Sequence, residues 1–273
     1  MKNLYKLFLV GVLLAGCSGQ EEEARAKLEH AKALYEREEL TAARNEIDSL
    51  RAWYPAEVKV LREALALMRQ VELKEAKRDI AYCDSLLPLR QAEAGEAVEG
   101  FVFEIDSAYE DKGNYIRKQQ TVERNVERTY IRCGVNEQGE IYLASVYFGS
   151  RPINHTGIKL SIRNGFSVET TSVPYDGGLN YRFKDEGNTS EIVNYKGESG
   201  IDAIKFIYDN AKERIKVDYT GGNPYSIYME ETDKKALIST YELAVILSDI
   251  HILTIEREKA IKKKTYLEGK LNQ

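Results

Sequence analysis

The period of the apolar residues changes twice along this chain, and that change restricts the fold more than any single motif. Leu28, Ala31, Leu34 and Tyr35 recur at helical spacing, with charged residues on the other faces. A second helix is expected from Thr41 to Trp53, ending at Tyr54-Pro55 because the residue before a proline avoids helical geometry. From Gly100 the period is two: Phe101, Phe103 and Ile105 alternate with Val102, Glu104 and Asp106. Glu140 to Phe148 is a strand candidate after the turn Asn136-Glu137-Gln138-Gly139. Ile158, Leu160 and Ile162 lead into Asn164-Gly165, a two-residue hairpin signal, after which Phe166, Val168 and Thr170 continue the alternation. Leu179, Tyr181 and Phe183 predict another strand, and so do Ile215, Val217 and Tyr219, with a short helix from Asp202 to Asn210 between them. The last forty residues return to helical spacing through Leu243, Ile246, Ile250, Leu253 and Ile261, with Asp233 as the expected N-cap. Lys262, Lys263 and Lys264 near the end suit the helix dipole. The expectation is an α+β protein whose helical ends flank a central antiparallel β-rich domain, a sandwich or a bent sheet.

The first seventeen residues carry a different signal. Lys2 and Lys6 precede the apolar run Leu7 to Leu14, which is too short to span a bilayer and reads as the core of a signal peptide. Leu14-Ala15-Gly16-Cys17 resembles the lipobox of bacterial lipoproteins. The resemblance implies removal of residues 1–16 and a lipid on Cys17, whose acyl chains anchor the protein because each buried CH₂ adds about 0.8 kcal/mol. It also implies a cell-envelope location, with the outer membrane as the expected one. Ser18 is not the Asp that retains enterobacterial lipoproteins in the inner membrane. The acidic Glu21-Glu22-Glu23 resembles the surface-export signal of Bacteroidetes lipoproteins, and acidic residues opening a helix explain it equally well.

Removing residues 1–16 from the 273 leaves 257, room for one large domain or two smaller ones. Without Lys2 and Lys6, the 39 basic side chains become 37 against 44 acidic, a formal charge of −7 that argues against nucleic acid as a partner. The expected organisation is a signal peptide at 1–16, a lipid anchor and helical region at 17–98, a β-rich domain at 99–232, and a C-terminal helix at 233–273 packing on the helical region. Residues 89–100 read as a linker. A coiled-coil dimer is the alternative use of the C-terminal stripe.

Ala31, Leu34, Leu40, Ala43, Ile47 and Pro55 recur 33 residues later as Ala64, Leu67, Leu73, Ala76, Ile80 and Pro88. Over residues 24–88 this resembles two tetratricopeptide-type helical hairpins, which implies a surface that docks a protein partner. The Trp and Gly signature positions of that family are missing.

No motif for catalysis or for a cofactor is present. His30, His155 and His251 have no cysteine, histidine or carboxylate at metal-ligand spacing. No Gly-x-Ser-x-Gly, Ser-x-x-Lys or His-Glu-x-x-His occurs. Gly177-Gly178 and Gly221-Gly222 read as turns. Asp106, Glu110 and Asp111 read as a solvated turn rather than a calcium loop. A Cys133–His155 dyad has nothing in sequence to activate it, and Cys83 and Cys133 are expected to be buried free thiols. The reading is therefore non-catalytic: a membrane-anchored lipoprotein with a protein partner. The alternative is a glycan ligand, because 12 of the 18 tyrosines fall between Tyr109 and Tyr228. Tyr175, Tyr225 and Tyr228, beside prolines and glycines, are the aromatics expected to be exposed for binding.

Overall fold

A computed structural model describes residues 4–105 and 113–271, with side chains described from Gly19 onward. The turn carrying Asp106, Glu110 and Asp111 and the side chain of Cys17 lie outside the described residues. The fold is α+β, with five α-helices among the described residues and antiparallel sheets in the middle of the chain. It divides into two compact units, Met1–Leu86 with Thr254–Gln273, and Leu87–Leu253.

In the first unit α1 (Leu4–Glu36) and α2 (Leu40–Trp53) form an antiparallel hairpin, and α3 (Val58–Ala97) follows after the Tyr54-Pro55 break. Ala24, Leu28, Ala31, Ala43, Ile47, Leu50, Val60, Ala64 and Val71 form its core, where small alanines let helices approach closely. The second expected hairpin does not form, because α3 is one helix. Residues 70–77 are mostly strong helix formers with no glycine or proline, so nothing interrupts the chain there. Pro88 lies inside α3 rather than ending it, and the expected linker at 89–100 is mostly helix. Beyond the proline, Ala94 and Ala97 join an apolar cluster with Leu243 and Leu247.

The second unit is a sandwich. Its six-stranded sheet has the order β1-β2-β3-β4-β8-β7, from β1 (Phe101–Glu104), β2 (Asn114–Arg117), β3 (Tyr130–Asn136), β4 (Ile141–Gly149), β7 (Asn180–Asp185) and β8 (Asn188–Lys196). The four-stranded sheet has the order β10-β9-β5-β6, from β5 (Gly157–Ser161), β6 (Ser167–Glu169), β9 (Lys216–Thr220) and β10 (Tyr225–Tyr228). β5 and β6 pair across Asn164-Gly165 as the sequence predicts. Ile131, Cys133, Leu143, Val193 and Tyr195 from the first sheet meet Ile158, Leu160, Val217 and Tyr219 from the second. Ile204 and Ile207 of α4 (Ile201–Asp209) and Leu237 of α5 (Glu231–Leu271) join the same core.

In the C-terminal stripe, Leu243, Ile246 and Ile250 pack with Ala94, Phe101 and Val135. The end of α3 and β1 supply the apolar face, and it is the later residues, from Thr254 on, that group with the helical unit. By length and composition α5 could cross a membrane, but Leu237, Leu243, Ala244 and Leu247 are buried within the protein. Asp233 is not the N-cap. It sits in the first turn of α5, where Arg128 Nη2 donates to its Oδ2 at 2.6 Å. Cys83 on α3 and Cys133 on β3 are buried free thiols.

Candidate functional site

The two faces of the six-stranded sheet differ in chemistry, and the strand period decides which residue goes where. Inward positions hold the core and one polar cluster. Ser145, His155, Glu191 and Tyr195 are each 0 % exposed. Ser145 Oγ lies 2.9 Å from His155 Nε2, and His155 Nδ1 lies 2.9 Å from Glu191 Oε2. This is the connectivity of a hydrolase triad, but no lining residue of the two cavities described below belongs to it. Tyr195 OH lies 3.0 Å from Ser145 Oγ, so the serine hydroxyl is hydrogen-bonded on both sides within the core. All four side chains are buried in the core.

The cluster instead ties sheets together. Glu191 Oε1 accepts the backbone N–H groups of Ile153 and Asn154 at 2.7 and 2.8 Å, and Oε2 that of His155 at 3.1 Å. Burial raises the Glu191 carboxyl. The His155 ring and the backbone donors outweigh it, so the group titrates below the usual carboxylate range. Cys133 is equally inert. Burial pushes its thiol up to about 12, so a thiolate dyad does not form.

Outward positions build an open trough. Register aligns Arg132, Ala144 and Asn194 in one row, Tyr130, Val146, Ile192 and Tyr181 in the next, and Phe148, Ser190 and Phe183 in the third. Such cross-strand neighbours stand about 5 Å apart, so each row presents a continuous surface. The apolar end is a cavity of about 230 Å³ whose walls include Val122, Val126, Phe148 and Phe183. A wider depression of about 1380 Å³ continues over Glu104, Asn136, Asp176 and Tyr142. Arg132, Tyr142, Tyr181 and Asn194 line both.

Arg132 is the charged group at the junction. Its Nη2 donates to Glu104 Oε2 at 3.1 Å, while its buried Nε has no hydrogen-bond partner among the described residues. Burial pushes the Tyr130 and Tyr181 phenols up, and the nearby Arg132 cation offsets part of that. Both phenols are therefore neutral near pH 7, suited to hydrogen bonding and stacking rather than proton transfer. Among the described residues no group of three or more His, Cys, Asp or Glu is placed to hold a metal.

The aromatics expected from sequence lie elsewhere. Tyr175 is 59 % exposed, Tyr225 37 % and Tyr228 50 %. Tyr225 and Tyr228 share β10 but point to opposite faces, and Tyr225 packs edge-on against Tyr147 at 4.9 Å. Tyr228 stacks under the Arg214 guanidinium at 3.7 Å, and Tyr175 under that of Arg182 at 5.0 Å. None of the three lines either cavity. Sequence reasoning missed the trough residues because only strand register brings Arg132, Tyr142 and Tyr181 together.

No family model, no curated protein and no solved structure matches this chain.

Proposed function

We propose that this chain is a non-catalytic lipoprotein of the bacterial cell envelope, held in the outer membrane by lipid on Cys17, that binds a partner protein. The observation that carries the binding reading is the trough on the six-stranded sheet, where two cavities share Arg132, Tyr142, Tyr181 and Asn194. Its apolar pocket has the size and lining that take one or two side chains of a polypeptide, and aromatic and Arg residues at the centre of a contact surface are where binding energy concentrates. β7, which supplies Tyr181 and Phe183, ends the strand order of its sheet, so an extended segment has a backbone edge beside the pocket. Because α3 is one helix, the second tetratricopeptide-like hairpin is not formed. This favours the sheet over the helices as the binding surface.

A photo-crosslinking residue at Phe183 should trap one discrete protein adduct in intact cells. The same residue at Tyr228 should trap none, and Val146→Asp should abolish the Phe183 adduct while the chain stays folded. Equal labelling from both positions would reject the trough as the seat.

The polar half of the trough favours glycan as a second reading. Glu104, Asn136 and Asp176 surround Tyr142, a combination that pairs hydroxyl partners with a flat ring. Retention of the soluble chain on a polysaccharide gel, lost in Tyr142→Ala, would select it over a protein partner.

Anchoring has its own test. Cys17→Ser should yield an unprocessed or soluble product, since in the lipoproteins this resembles cleavage follows lipidation. Full membrane retention of a processed Cys17→Ser chain after high-salt and carbonate washing would reject the anchor.

A further inference from the structure

The tip of the helical unit carries apolar side chains that its own core does not use. Trp53, the last residue of α2, is 66 % exposed, and Val58, the first of α3, is 58 % exposed. Leu65, two turns beyond Val58 on the same face of α3, is also exposed. Lys27 Nζ stands 4.4 Å over the Trp53 ring, covering one face of it. An indole in this setting has a flat apolar body and a single N–H, the combination that partitions to the boundary between headgroups and acyl chains.

The position of this tip along α1 says what it faces. Tyr54 OH donates to Glu23 Oε2 at 3.1 Å, and Arg25 Nη1 lies 3.9 Å from Glu63 Oε1. The α2–α3 turn is therefore level with Glu23. Cys17 is six residues earlier on the same helix, about 9 Å along its axis at 1.5 Å per residue. The headgroup layer of one leaflet is roughly 5–8 Å deep. A bilayer that holds acyl chains on Cys17 thus comes within side-chain reach of Trp53 and Val58, and a lean of α1 closes the remaining gap.

We infer that the α2–α3 turn, through Trp53 and Val58, docks on the phospholipid surface into which Cys17 is anchored, so that the helical unit is held against the membrane at two points. This rests on the lipid-anchor reading of Cys17. Two contacts fix orientation, whereas acyl chains alone leave the protein free to swing. The occupant is the lipid surface rather than a protein because the patch lies beside the anchored end of α1.

Trp53 is the only tryptophan in the chain, so its fluorescence reports on this turn alone. The lipidated full chain is reconstituted into phosphatidylethanolamine–phosphatidylglycerol vesicles, with and without brominated acyl chains. Trp53 emission should shift to the blue, and brominated lipid should quench it. The control is Trp53→Phe with Tyr82→Trp. Tyr82 is 60 % exposed and lies 24 residues along α3 from Val58, about 36 Å. That control should show neither effect, and Val58→Asp, with Trp53 in place and an unchanged circular dichroism spectrum, should lose most of the quenching.

If retained protein keeps a water-exposed Trp53 that iodide quenches and brominated lipid does not, the docking inference falls and the anchor stands. Equal quenching at positions 53 and 82 also overturns it, because the unit would then lie flat. If the chain is not retained on vesicles at all, the anchor reading fails and the inference goes with it.

Discussion

Glu191→Ala should destabilise the β unit by about 3–5 kcal/mol, the cost of leaving a buried charged group's partners unpaired. Glu191 is the acceptor for the His155 ring and for three consecutive backbone N–H groups, those of Ile153, Asn154 and His155. Removing it strands donors in a core that water does not reach, and each stranded donor costs about 1–3 kcal/mol. Glu191→Gln keeps the shape and one accepting oxygen, so a smaller loss of about 1–3 kcal/mol is expected. The pH dependence follows from the depressed carboxyl. A carboxylate that titrates lower in the folded protein than in the unfolded chain stabilises the fold fully above the unfolded value, about 4.3 for Glu, and that contribution is lost as pH falls through the folded value. The wild type should therefore lose stability below about pH 4 more steeply than Glu191→Gln. Urea denaturation of the chain from Ser18 onward, at pH 7 and at pH 3.5, measures both. A loss under about 1 kcal/mol for Glu191→Ala would mean that the cluster is not buried in solution.

How much of this was legible in sequence depends on what each strand buries. β5 showed itself because Ile158 and Leu160 face the core while Lys159 and Ser161 face away. β8 did not, because its inward positions include Thr189 and Glu191 beside Val193 and Tyr195. A glutamate at a core position breaks the alternation, and only the loop at 153–155, brought in by the fold, makes it tolerable. The trough is hidden for the opposite reason. Ala144, Val146 and Phe148 face outward, so β4 is apolar on both faces and reads as a strand buried on both sides. Tyr175, Tyr225 and Tyr228 were singled out by neighbouring prolines and glycines, which predict exposure but not convergence. In α3 the alanine spacing suggested a repeat, while the absence of a helix breaker between residues 70 and 77 argued for one long helix; the local signal prevailed. The helix–strand–helix order was readable throughout because periodicity is local, and the meeting of Ser145, His155 and Glu191 was not, because it is set by register.

The second large effect is expected at Gly139, where the β3–β4 turn touches α5. Asn136 organises the turn: its Oδ1 accepts the backbone N–H groups of Gln138 and Glu140 at 3.0 and 2.9 Å, and Gly139 N donates to Asn136 O at 3.0 Å. Gly139 closes it with φ +80°, a left-handed conformation that costs other residues about 1–2 kcal/mol. A Cβ there would also clash with Ser248 N and Ala244 O. Both are helix backbone, so neither can rotate away as a side chain would. To admit the methyl, α5 must lift from the turn, loosening Leu243, Ala244 and Leu247 from Val135 and Phe101. Overpacking of this kind adds about 1–3 kcal/mol, so Gly139→Ala should cost about 2–5 kcal/mol in all. Gly165 separates the two causes. It has φ +91°, and nothing lies within 4 Å of a Cβ built on it, so Gly165→Ala carries the backbone strain alone. In urea denaturation Gly139→Ala should be the more damaging of the two by the steric share. Equal losses at both positions would mean that α5 is not seated against this turn.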